Sequence, residues 1–187
     1  MLLFFALCAL LLGRLLGGRL SRFEGAGLRW LPLPALALLC QAALGRVPVP
    51  AAMPWLISLS YLLLLLFVWK NRHLTAAACF IGLGSLCNYV VIAANGFRMP
   101  VSPDAMSALS PEGAAALLAG EIPMYAAAGS ATRLLFLGDL FWFPLPPFQG
   151  FASVGDLLLS VGVFFLLMAL MAPVKWFGRR AGKPADP

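Results

Sequence analysis

Two carboxylates in this chain are placed where chemistry could be done. The stretch LGDLFWFPLPPFQGFASVGDLLLSVG, residues 137–162, carries Asp139 and Asp156, and the whole sequence has only seven acidic residues in 187. Asp156 opens a long run without charge, and Asp139 precedes it by a segment rich in aromatics and proline. A carboxylate at the edge of an apolar run costs free energy unless it is hydrated, paired or protonated. Two carboxylates brought together do not both ionise easily, so one keeps a proton and the pair can share a water. One then takes a proton from that water as it attacks a carbonyl, while the other donates a hydrogen bond to the carbonyl oxygen. The same residues have plainer roles open to them. Ser153-Val154-Gly155-Asp156 fits the Ser-x-x-Asp capping pattern at a helix start. Asp139 after Gly138 fits a turn.

The elements that must position these residues are apolar helices. The chain is 62% hydrophobic and 11% charged, against about 25% charged in soluble domains. A chain of this length cannot hide that much apolar surface from water, so the bilayer is the expected solvent. Apolar spans are expected at 2–16, 30–44, 54–69, 74–94 and 153–172. The expected fold is all-α: a polytopic membrane bundle of about five transmembrane helices, forming a single membrane domain over residues 1–187. Arg14, Arg19, Arg22 and Arg29 surround the first connection, Lys70, Arg72 and His73 form the third, and Lys175, Arg179, Arg180 and Lys183 follow the last span. The second connection carries Arg46, and the fourth balances Arg98 and Arg133 against Asp104, Glu112, Glu121 and Asp139. By the positive-inside rule the N-terminus is outside and the C-terminus cytoplasmic, with both aspartates on the outer side. The net charge of +6 is spent at span edges; no basic stripe or zinc spacing points to nucleic acid.

Residues 96–151 make the one long connection, expected on the outer side. Ser110-Pro111-Glu112 reads as an N-cap followed by proline at the first helical position, opening a short helix at the membrane interface. Phe141 to Phe148 reads as a stiff aromatic and proline segment, an interfacial anchor or a wall over a site. Asn88 and Asn95 are seven apart and share nearly one helix face. Each could join helices, or hold a substrate backbone or orient a carboxylate; Asn95-Gly96 is also an ordinary helix stop. Arg98 is the nearest outer-side cation, able to pair with an aspartate or a lipid phosphate. Gly13…Gly17 and Ala78…Gly82 have the small-x-x-x-small spacing of close helix packing. Cys8, Cys40, Cys79 and Cys87 lie inside apolar runs without a Cys-x-x-Cys, which reads as inert thiols. No metal or organic cofactor is expected.

The stretch from Asp139 to Gly162 resembles the end of the type II (lipoprotein) signal peptidases. That family has a valine-aspartate-phenylalanine motif, a loop with proline and aromatics, and then Phe-Asn-x-Ala-Asp-x-x-Ile-x-x-Gly. Asp139-Leu140-Phe141 matches the first motif loosely, and Asp156, Leu159 and Gly162 match the second. Gly82-Leu83-Gly84-Ser85-Leu86-Cys87-Asn88 is similar to the family's Gly-Gly-x-x-Gly-Asn segment. The resemblance implies a catalytic dyad of Asp139 and Asp156, with Asn88 and Ser153 in support; the residues themselves add Asn95, whose structural role comes first, and Arg98 as supporting or substrate-binding candidates. The family's Asn-x-x-Asp-Arg becomes Asn88-Tyr89-Val90-Val91-Ile92, its Asn before the second aspartate becomes Ser153, and its long loop between the first two spans is missing. The whole pattern is similar to a group of small bacterial multi-pass membrane proteins of unassigned function, which carry Asn88, Ala94-Asn95-Gly96, Met99-Pro100-Val101, Leu137-Gly138-Asp139 and Gly155-Asp156 as they stand here. These resemblances imply residence in the bacterial cytoplasmic membrane.

The expected function is an intramembrane aspartyl hydrolase at the outer boundary, with membrane lipids and a membrane-anchored peptide or lipoprotein substrate as partners. A non-enzymatic scaffold or partner subunit is the second reading. A small transporter is the third, opposed by the scarcity of ionisable residues at depth.

Overall fold

The computed structural model describes residues 1–23, 27–44 and 52–171. Among the described residues five apolar helices occupy the expected positions: α1 Leu2–Leu15, α2 Pro32–Leu44, α3 Met53–Lys70, α4 Thr75–Ala94 and, last of these, α7 Val154–Met171. Among the described residues three of them, α3, α4 and α7, are long and apolar enough to cross a membrane, and they point to a membrane protein. The described lengths of α1 and α2, 14 and 13 residues, correspond to about 21 and 20 Å at 1.5 Å per residue, short of a hydrocarbon core of about 30 Å. Among the described residues, three of the about five expected spans reach spanning length. Arg46 and the basic residues from Lys175 onward fall outside the described residues.

The helices begin and end for local reasons. Proline sits in the first turn of α3, where its missing N–H is no loss. Asn71 follows α3 and its N–H bonds back to Phe67 and Val68, so the chain reverses at once into α4. Asn95 closes α4, and Gly96 follows at φ +67°, a left-handed stop that suits glycine. α4 and α7 are antiparallel and nearly touch. A Cβ on Gly84 would come within 2.6 Å of the Gly155 carbonyl oxygen, and one on Gly162 within 2.7 Å of the Ile81 nitrogen. α1 packs on the far end of α7, where Gly13 faces Met168 and Met171.

The all-α expectation does not hold. The connection between α4 and α7 folds into a four-stranded sheet with two short helices: β1 Met99–Val101, α5 Pro103–Met106, α6 Pro111–Leu118, β2 Tyr125–Ala127, β3 Asp139–Phe143 and β4 Gly150–Ser153. The strand order is β2-β1-β3-β4, parallel except for the β3–β4 hairpin. The strands escaped the sequence because they are only 3 to 5 residues long, too short to display a two-residue alternation. Pro100, moreover, sits inside β1, an interior strand, where proline argues against a strand. Its flanking residues carry the pairing: the Met99 N–H bonds Met124 O at 2.8 Å and the Ser102 N–H bonds Asp139 O at 2.9 Å. The expected short helix is present as α6, with the Ser110 hydroxyl accepting from the Gly113 N–H at 3.2 Å. Its Leu117 packs into a small core with Val101 and Ala105. The aromatic segment is the β3–β4 hairpin. Phe143 and Phe148 rest on Phe4 of α1, with ring centroids 5.6 and 6.1 Å apart, and the chain's amino terminus bonds Phe148 O.

Candidate functional site

The sheet and the helix pair meet at the two aspartates. Asp139 is the first residue of β3 and pairs with Val101 of β1 on one side and Ser153 of β4 on the other. Gly138 permits this: a Cβ there would lie 2.6 Å from the Pro100 carbonyl oxygen. β4 passes without a linker into α7, so Ser153 ends the strand and Asp156 sits in the first helical turn. The hairpin register thus delivers both carboxylates to one end of the α4–α7 pair.

Asp156 is held from three directions. The Ser153 hydroxyl accepts from the Asp156 N–H at 2.9 Å, and the Ser153 N–H donates to Asp156 Oδ2 at 3.1 Å, a reciprocal capping box. Asn88 of α4 donates from Nδ2 to Asp156 Oδ1 at 2.8 Å and accepts from the Ser153 hydroxyl at 2.9 Å. The close approach of Gly84 and Gly155 makes these bonds possible, because a Cβ on Gly155 would collide with the Asn88 amide. The positive end of the α7 dipole also faces this carboxylate.

Asp139 is the opposite case. It is 2% exposed, and its Oδ1 has no hydrogen-bond partner. Burial, reinforced by the negative charge of Asp156, pushes its carboxyl from the ordinary 3.8 up to about 7. An orphaned buried carboxyl oxygen costs about 1–3 kcal/mol and calls for an explanation.

Both aspartates line a cavity of about 160 Å³. Its polar lining joins to the two acids Asn88, Gln41 of α2, Ser60 and Tyr61 of α3, and Tyr125 of β2. Its apolar lining comes from Leu44, Ile57, Ile92, Phe97, Met99, Met124 and Phe151. The Ser60 hydroxyl donates to Ile57 O at 2.8 Å and receives Gln41 Nε2 at 3.4 Å. The Tyr61 hydroxyl is directed at the Asn88 side chain. Burial, then the charges of Asp139 and Asp156, push the Tyr125 hydroxyl up to about 12, so it stays a proton donor at neutral pH. Phe97 reaches the wall with φ +62°, an uncommon conformation for a bulky residue and one that marks local strain.

Of the six residues singled out in the sequence, four are brought together: Asp139, Asp156, Asn88 and Ser153. Asn95 and Arg98 are not. Asn95 donates to Val91 O at 2.7 Å and Arg133 O at 2.8 Å, and accepts from the Arg133 N–H at 2.9 Å, tying the end of α4 to the loop before β3. Arg98 points its guanidinium at the Gly120 carbonyl, at 3.5 Å. Among the described residues no cluster of His, Cys, Asp and Glu could hold a metal ion.

The sequence matches a family description over residues 26–168, most of its length. The chain belongs to DUF5317, a family of unknown function. No curated protein and no solved structure matches it. The DUF5317 segment runs from before α2 almost to the end of α7, so it contains every residue that lines the cavity, while α1 lies ahead of it. Sequence reasoning missed Gln41, Ser60, Tyr61 and Tyr125. A faint signal existed for them: Gln41, and Ser60-Tyr61 together with Ser58, interrupt otherwise apolar spans, and the chain has only three tyrosines.

Proposed function

We propose that the cavity is the active site of an aspartyl hydrolase that cleaves an apolar, membrane-anchored peptide. The observation that carries this reading is the unlike state of two carboxylates that line one cavity. Asp139 is buried, unpartnered at Oδ1 and weakened as an acid to about 7, whereas Asp156 is braced by Asn88 and Ser153. Environments that separate two carboxylic acids in this way assign them acid and base roles. In the proposed reaction Asp156, as the carboxylate, takes a proton from a water molecule whose oxygen attacks the substrate carbonyl. Asp139, protonated, gives its proton to the carbonyl oxygen as the tetrahedral intermediate forms. The intermediate collapses as Asp139 recovers that proton and Asp156 passes its own to the leaving amine. The C–N bond breaks, and both acids return to their starting states. Asn88 and Ser153 are positioning residues that fix Asp156, and the Tyr125 hydroxyl is a further donor at the cavity. The apolar lining residues suit hydrophobic side chains next to the scissile bond. The resemblance to lipoprotein signal peptidases agrees with this chemistry, and the positive-inside pattern supports a site on the outer side of the membrane.

The test is proteolysis in ¹⁸O-labelled water. The protein is reconstituted into liposomes with a set of membrane-anchored peptides, and new C-termini are read by mass spectrometry. Wild type should yield labelled ends. Asp139→Asn and Asp156→Asn should each lose about a thousandfold, within the range for a general acid or base, while thermal unfolding shows an intact fold. Wild-type product yield from either variant overturns the proposal.

One observation favours the scaffold reading. The Ser153–Asp156 box and its Asn88 brace are what the start of α7 needs for its own stability. That reading leaves the orphaned, buried Asp139 without a purpose.

A further inference from the structure

A second polar feature lies at the other end of α3, nine residues beyond Tyr61 and about 14 Å away along the helix at 1.5 Å per residue. Here Arg29, Lys70, Arg72 and His73 surround a surface pocket together with Gly27 and Trp69. Among the described residues no carboxylate lines it. Like charges gathered with no counter-charge among the described lining residues repel one another, and their juxtaposition needs a cause.

The gathering is built by a buried asparagine. Asn71 is 3% exposed in the turn between α3 and α4. It accepts from the Arg29 N–H at 2.8 Å and donates to the Arg29 carbonyl at 2.8 Å and to Phe67 O at 2.9 Å. This amide clamp draws the segment before α2 onto the α3–α4 turn and fixes Arg29 beside Arg72. The Lys70 ammonium stands between two indoles, 4.9 Å from the Trp30 ring and 4.7 Å from the Trp69 ring, and the Arg72 guanidinium lies 5.7 Å from Trp69. Stacking on aromatic faces holds both cations without neutralising them. A fixed set of guanidinium and ammonium donors with aromatic walls matches the chemistry of a phosphate group. Tryptophans beside the pocket suit a site at a membrane surface, where basic pockets between helix ends take lipid headgroups.

We infer that the Arg29–Lys70–Arg72–His73 pocket binds a phosphate-bearing anion, whose sources are an anionic lipid headgroup and free phosphate. It stands apart from the aspartate cavity, and its failure would leave the hydrolase proposal untouched.

The test uses the full chain in nanodiscs of phosphatidylcholine alone, in nanodiscs with added phosphatidylglycerol, and in phosphatidylcholine nanodiscs with inorganic phosphate in the buffer. Binding is read from the quenching of tryptophan fluorescence and from the shift in melting temperature. Phosphatidylglycerol should stabilise the wild type. Arg29→Gln with Arg72→Gln should weaken the effect roughly fivefold for each cation removed, while Arg14→Gln with Arg19→Gln, which removes equal charge outside the pocket, should not. Saturation by inorganic phosphate alone would support the site and identify a soluble ligand. Two results would overturn it: no response to either anion, or equal weakening by both pairs of substitutions, which would mean diffuse attraction to a charged surface.

Discussion

At the scale of single residues, Asp139 holds the largest unresolved cost in the site. Its folded carboxyl loses its proton near 7, against the ordinary 3.8. Between those values the folded protein keeps a proton that the unfolded chain has released. Stability therefore falls as pH rises from about 4 to about 7, by roughly 4 kcal/mol in all, and is fully present only below the unfolded value. Asp139→Asn, which keeps the shape without the ionisation, should abolish this slope. Melting curves at pH 5 and pH 8 check it: the wild type should melt higher at pH 5, and the variant should show no such difference. Peptide cleavage by the wild type should decline in parallel as pH rises through about 7, because the acid is then lost. Stability sacrificed to keep a group in a reactive state is a familiar cost of function. At this scale the sequence was readable where residue type and neighbours suffice. Ser-x-x-Asp predicts the capping box, and Asn95-Gly96 predicts the helix stop. Tyr61 and Gln41 were not readable, because membership of a cavity wall depends on which helices become neighbours.

Among the elements, the α4–α7 contact decides whether the site exists. Gly155→Ala would set a Cβ against the Asn88 amide and 2.8 Å from the Gly84 carbonyl oxygen. Alanine gains about 1 kcal/mol in helix propensity, but backbone cannot yield as a flexible side chain does, and overpacking costs about 1–3 kcal/mol. The expected net result is a lower melting temperature and the loss of the Asn88–Asp156 bond, visible as a changed Asn88 side-chain amide resonance. Gly82→Ala is the contrast. Its Cβ would meet only Val68 Cγ1, at 3.3 Å, and the substitution should be close to neutral. The small-x-x-x-small spacing pointed to Gly82, while the tightest crossing runs through Gly84, Gly155 and Gly162. Spacing shows that a helix has a smooth face, not which partner meets it. The same limit explains the sheet: β1 pairs with strands that begin more than twenty residues later in the chain, a relation without local trace.

At the scale of the whole molecule, the described residues set two polar pockets in one apolar body, an acidic one beside the sheet and a basic one at the α3–α4 turn. Asn71 governs the basic end. Asn71→Ala removes three hydrogen bonds, at about 1 kcal/mol each, and should lower stability by roughly 2–4 kcal/mol. It should also release Arg29 and weaken phosphate binding, both readable in the same nanodisc melts. The helical frame was legible from apolar runs and their charged borders, and the class from composition alone. The sheet that turns a loop into half of a cavity was not. Its presence alters the mechanics of the site. Asp139 and Ser153 are opposite rungs of one ladder, and Ser153 is bonded in turn to the head of α7. A register shift between Asp139 and Phe141 sets that rung off from the rest of the hairpin. The rung acts as a yoke of its own: a movement of β4 against β3 would carry Asp139 and the head of α7 together.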